Sequence, residues 1–89
     1  GKTIHLLDVR TPEESNLASI GGVLLPLAEL ENRIHELDPS KRPWVVYCHH
    51  GVRSEYAAQF LKMRGFDALS LVGGIEKWSL EIDSSIPRY

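Results

Sequence analysis

Trp44-Val45-Val46-Tyr47-Cys48-His49-His50-Gly51-Val52-Arg53 is the stretch on which the reading of this chain turns. Its first four residues are β-branched or aromatic with no polar alternation, the pattern of a parallel strand buried on both faces. Cys48 ends that run. Two histidines, a glycine and an arginine follow at once, so the chain passes from a buried strand into a polar loop. In open α/β sheets ligands bind beyond the carboxyl ends of the strands, which puts Cys48 where chemistry is expected.

Toward the C-terminus, Arg53 to about Arg64 has helical periodicity with Ala57, Phe60 and Leu61 inward. Basic residues fill its last turn and Gly65 suits the C-cap. Leu69 to Val72 reads as a final strand, and Gly73-Gly74 as a tight turn into a short helix carrying Trp78, expected in the core.

Toward the N-terminus, Ile4 to Val9 is a short apolar run ending in Asp8-Val9-Arg10. Thr11-Pro12-Glu13-Glu14 then carries a helix start, with Thr at the N-cap, Pro at the first position and Glu14 able to reach back to the Thr11 amide. That helix is expected to end near Leu17. Gly21-Gly22 precedes a second short strand, Val23-Leu24-Leu25, closed by Pro26. Leu27, Leu30, Ile34 and Leu37 form the stripe of an amphipathic helix, stopped by the turn Asp38-Pro39-Ser40-Lys41. Strands alternating with helices predict one α/β domain over residues 1–89, with a mostly parallel central sheet flanked by helices.

Composition narrows the function classes. With 89 residues the chain has room for one core. A net charge of −2 argues against nucleic-acid binding, which needs a concentrated basic surface. The apolar runs are too short to span a bilayer, and no basic-then-apolar leader precedes the first strand, so a soluble cytoplasmic protein is expected. One cysteine cannot close an internal disulfide, which suits a reducing compartment. The chain opens at Gly1 rather than Met, as a domain excised from something longer would.

A lone cysteine is more often a small buried hydrophobe than a reactive group. The polar neighbours of Cys48 point instead to a loop position outside the core. Successive N–H groups between a strand and a helix start can turn inward around one atom and stabilise a thiolate.

Cys48-His49-His50-Gly51-Val52-Arg53-Ser54 resembles the active-site loop of the rhodanese family. Leu7-Asp8-Val9-Arg10 with Thr11-Pro12-Glu13-Glu14 is similar to that family's N-terminal signature, and Gly73-Gly74-Ile75-Glu76-Lys77-Trp78 to its C-terminal one. The tail from Asp83 to Tyr89 resembles that of bacterial single-domain members and of rhodanese domains fused to adenylyltransferases. The chain departs from the family where Ser15 and Ala18-Ser19-Ile20-Gly21-Gly22-Val23 replace an aromatic residue and a Gly-His-Ile-Pro-Gly-Ala-like stretch.

The resemblance implies that Cys48 is the nucleophile of a sulfurtransferase. It would take sulfane sulfur from a donor such as thiosulfate and pass it to cyanide, a protein thiol or a sulfur carrier, with no cofactor. Arg53 would close the loop and place positive charge near the anion. His49, His50, Gly51 and Val52 would line it, the two histidines reading equally as solvated loop residues, and Asp8 and Arg10 would lie beside it to orient the loop or bind substrate, with a structural ion pair or hydrogen-bond anchor the equal alternative. A noncatalytic rhodanese-like interaction module is the second reading. A cysteine-dependent phosphatase or arsenate reductase is a third, disfavoured because those loops place five residues between Cys and Arg, whereas four separate Cys48 from Arg53. A metal site made of Cys48, His49 and His50 is not expected, since adjacent residues rarely converge on one ion.

Overall fold

The computed structural model describes residues 4–89. Four parallel strands, β1 (His5–Asp8), β2 (Val23–Leu24), β3 (Trp44–Tyr47) and β4 (Ala68–Ser70), form one sheet in the order β2-β1-β3-β4. The strands are short, two to four residues each. Ile4 lies outside β1 and is exposed, so the first strand is narrower than its hydrophobic stretch.

Side chains on β1 and β3 alternate between two cores. Leu7, Val9, Trp44, Val46 and Cys48 face one cluster, which α3 (Val52–Met63) covers with Ala57, Ala58 and Leu61. Leu6 and Tyr47 face the other, shared with Ala18, Ile75, Leu71 and Tyr89. The period of two along each strand thus separates the faces cleanly. Cys48 continues the Trp44-Val46 face and is buried there, with 1% of its surface exposed. The expectation that polar neighbours would keep it out of the core is corrected: the loop is polar, but the cysteine side chain still follows the strand's alternation inward.

Helix α1 (Pro12–Leu17) begins with the expected capping box, Thr11 and Glu14 each accepting from the other's backbone amide. The stripe from Leu27 to Leu37 does not make one helix. It folds as a 3₁₀ turn (Leu27–Glu29), one α turn α2 (Leu30–Arg33) and a second 3₁₀ turn (Ile34–Glu36). The apolar steps of three, four and three residues suit one continuous α-helix equally well, so the breaks after Glu29 and Arg33 are not written in the stripe.

β4 is an edge strand, and it begins earlier than the apolar run suggests. Ala68 is buried, whereas Leu69 and Val72 are exposed. α4 (Gly74–Glu81) follows. It buries Ile75 and Ser79 and leaves Trp78 half-buried, outside both apolar clusters, so Trp78 does not take the core place expected of it.

Candidate active site

The carboxyl ends of all four strands open on the same edge of the sheet. There Cys48 leaves β3, and residues 48–51 form the connection to α3. Gly51 is the N-cap of α3 with φ 111°, a left-handed conformation that a residue with a Cβ adopts only with strain. That turn brings two amides to one atom. Gly51 donates to Cys48 Sγ at 3.0 Å and Ser54 at 3.4 Å. The sulfur therefore does the work of a capping side chain, and it sits at the positive end of the α3 dipole.

The same sulfur donates to Ser54 Oγ at 3.5 Å. Ser54 is fully buried; its hydroxyl donates to the Gly51 carbonyl at 3.1 Å and pairs with Ser70 Oγ at 2.7 Å. When the thiol loses its proton, the Ser54 hydroxyl can turn toward the sulfur while Ser70 stays as its partner. Ser54 stood in the loop motif without an assigned role, and Ser70 went unnoticed. No local pattern marks Ser70, which reaches the site only through the pairing of β4 with β3.

A backbone seam holds the loop from the other face of the sheet. The amides of Ile75 and Glu76 at the start of α4 donate to the carbonyls of Cys48 and His49 at 2.9 and 3.0 Å. Gly74 makes this approach possible, because a Cβ there would overlap both carbonyl oxygens. The Gly73-Gly74 pair thus brings α4 against the loop as well as turning the chain.

Asp8 and Arg10 form a buried ion pair, with Nε and Nη2 of Arg10 meeting the two Asp8 oxygens at 2.8 Å each. Nη2 also donates to the Ala18 carbonyl, and Nη1 to Tyr89 Oη and the Glu14 carbonyl. All five guanidinium N–H groups are occupied, which leaves none for an external anion. Burial works against the charge on Arg10, but its hydrogen bonds to Asp8 and Tyr89 overcome that and push its pKa up.

Arg53 lies within reach of the loop, but its guanidinium is engaged. Nη1 and Nη2 grip Glu14 Oε1 and Oε2 at 2.6 and 2.8 Å. The positive charge expected beside the sulfur is thus shared with a carboxylate. Arg53 brings the Glu14 pKa down to about 2, and the Tyr89 hydroxyl, donating at 2.8 Å, and the Thr11 amide add to the effect against burial. Glu14 was read only as a capping residue. It also joins Arg53 to Tyr89 and through it to Arg10, a role that required knowing where the C-terminal residue lies.

Where the chain departs from the usual family stretch, Tyr47 Oη donates to the Gly21 carbonyl at 2.9 Å and Ser19 Oγ accepts from the Gly21 amide at 2.9 Å. Beside the loop, an open groove of about 670 Å³ is lined by His50, Gly51, Val52, Tyr56, Val72 and Gly73. Val52, Tyr56 and Val72 are exposed apolar residues at its rim. His49 is half-buried and His50 exposed.

Residues 1–81 match the family model described as a rhodanese-like domain. The chain belongs to the rhodanese family. The segment from Cys48 to Arg53 lies inside the matched span, and solved structures agree on the family. The crystal structure of a rhodanese-related protein from Thermoplasma volcanium superposes with a TM-score of 0.85 at 35% identity, covering 89% of this chain and 79% of that one. The putative sulfur carrier protein YrkF of Bacillus subtilis is 39% identical over 80 residues, 88% of this chain and 43% of that protein. The thiosulfate sulfurtransferase GlpE of Coxiella burnetii is 37% identical over 79 residues, 86% of this chain and 73% of that protein. This chain therefore spans less than half of the Bacillus protein. Among the described residues no helix is long and apolar enough to cross a membrane.

Proposed function

We propose that this rhodanese domain transfers sulfane sulfur through a persulfide on Cys48. The observation that carries the reading is the pair of amides, from Gly51 and Ser54, directed at Cys48 Sγ from the N-terminus of α3. A structural cysteine has no need of two N–H donors. A sulfur that carries negative charge as it attacks or leaves is well matched to such donors at a helix N-terminus.

In the proposed reaction the Cys48 thiolate attacks the outer sulfur of thiosulfate. A new S–S bond forms at Cys48 while the donor's S–S bond breaks, and its electron pair leaves with sulfite. An acceptor thiolate or cyanide then attacks the terminal sulfur, and the electrons of the Cys48 persulfide bond return to Sγ. No external oxidant and no cofactor are required. The anionic persulfide would occupy the same cradle of N–H groups, with Arg53 contributing a field that Glu14 partly offsets. The groove beside Val52 and Tyr56 would seat a protein thiol or sulfur carrier delivered to the loop.

The test is mass spectrometry of the intact protein after incubation with thiosulfate. One added sulfur is expected, removable by cyanide with formation of thiocyanate. Cys48→Ser is expected to abolish both the mass gain and thiocyanate formation while preserving the fold. A mass gain that survives in Cys48→Ser would refute the assignment. Aryl phosphate hydrolysis by the wild type, lost in that variant, would favour a phosphatase instead.

A further inference from the structure

The two histidines of the loop are not independent solvated groups. Their rings stack with centroids 4.1 Å apart and planes 15° apart, and Tyr89 stacks on His49 at 4.0 Å. Glu76, on the first turn of α4, meets the same cluster. Its Oε2 lies 3.3 Å from His49 Nε2, while Oε1 accepts from Arg88. Ligand atoms of His49, His50 and Glu76 lie within 4.8 Å of one another, the one such group of three among the described residues.

We propose that His49, His50 and Glu76 form a binding site for a borderline divalent cation of the zinc, cobalt and nickel class. The donor set decides the class. Two imidazoles and a carboxylate suit these ions, whereas magnesium and calcium select all-oxygen sites. Spacing supports the geometry. Two ligands bound at about 2.1 Å in a tetrahedral site lie roughly 3.4 Å apart, close to the 3.3 Å already separating His49 Nε2 from Glu76 Oε2.

The exposed His50 ring can turn off the stack, which lets its in-plane lone pair converge with that of His49 on one ion. An ion would replace the proton shared by His49 and Glu76. Arg88 orients the carboxylate from its other oxygen, as second-layer groups do around bound metals. The α4 seam holds the backbones of His49 and Glu76 together through a 3.0 Å hydrogen bond before any ion arrives. Three protein ligands leave a fourth position open to water or an anion. The set differs from one built on Cys48, whose sulfur is sunk toward α3.

The site does not depend on sulfur transfer, so the test uses Cys48→Ser, which also removes thiol binding of the metal. Zinc is titrated calorimetrically into this variant of the full chain near neutral pH. One equivalent is expected to bind, with affinity falling as the pH is lowered. In the same background, His50→Ala and Glu76→Gln are each expected to weaken binding at least about tenfold. His35→Ala, outside the cluster, should leave it unchanged. His50 is exposed, so its removal should not disturb folding. Absence of a saturable one-to-one phase, or affinity in His50→Ala or Glu76→Gln equal to that of the Cys48→Ser background, would overturn the proposal.

Discussion

The Cys48 loop and the Asp8–Arg10 segment leave adjacent strands on the same edge of the sheet, and Cys48, Asp8 and Arg10 are all buried. They satisfy their polar groups in opposite ways. Arg10 has a carboxylate, a hydroxyl and two carbonyls for its five N–H groups, a closed set with nothing left to offer. Around Cys48, two amides converge on one soft atom with no cation among the described residues in hydrogen-bonding contact. The difference teaches that burial does not separate structural from reactive groups. What separates them is whether the donors around a buried atom would be better served by a charge that is not there in the resting state.

The largest effect is expected on the closed side. Arg10→Ala leaves Asp8 buried without its counter-ion, which typically destabilises by about 3–5 kcal/mol. Urea unfolding should reveal a domain near or past the edge of stability. A loss below about 1 kcal/mol would mean that the pair is not what secures this edge.

On the open side the balance should reverse. Ser54→Ala removes the hydroxyl that accepts from the thiol but leaves both amides in place, costing about 0.5–1.5 kcal/mol of stability. If the hydroxyl turns to the thiolate, the loss of about 1 kcal/mol of anion stabilisation should slow sulfur loading roughly fivefold, measured by the thiosulfate-dependent mass gain over time. Unchanged loading would leave the amides as the whole of the cradle.

The smallest effect concerns Glu14, which lies between the two regions. Its carboxyl titrates near 2 when folded, against an ordinary 4.5. The unfolded chain therefore takes up this proton first on acidification. Stabilisation is full above about 4.5, declines as pH falls toward about 2 and is absent below that. Glu14→Gln is expected to flatten this part of the acid-unfolding curve, followed by circular dichroism, with little change near neutrality in that slope. An unaltered acid limb would show that the Arg53 contact does not hold the carboxyl down.

What the sequence made legible follows the range of the interactions. The uninterrupted Trp44–Tyr47 run, the Thr11–Glu14 capping box and the helix after Gly51 are local patterns, and each appears where its residues place it. The stripe from Leu27 to Leu37 was legible as helical but not as broken, because alternating three- and four-residue steps are what one continuous helix also shows. Cys48 and Arg53 could be singled out from the loop, but not the burial of the one or the partner of the other. Glu14, Ser70, Glu76 and Tyr89 enter the site from separate elements, and sequence distance conceals such meetings. Tyr89 touches Arg10, Glu14 and His49 from the far end of the chain.

The seam between α4 and the loop has an electrostatic consequence. Cys48 Sγ points toward α3, while the Cys48 and His49 carbonyls are drawn toward Ile75 and Glu76 on the opposite side of the sheet. The negative ends of these two peptide dipoles are thereby turned away from the sulfur, and lone pairs that would repel an anion are occupied elsewhere. α4 shapes the potential at Cys48 without touching it, by deciding which way the neighbouring peptide groups face.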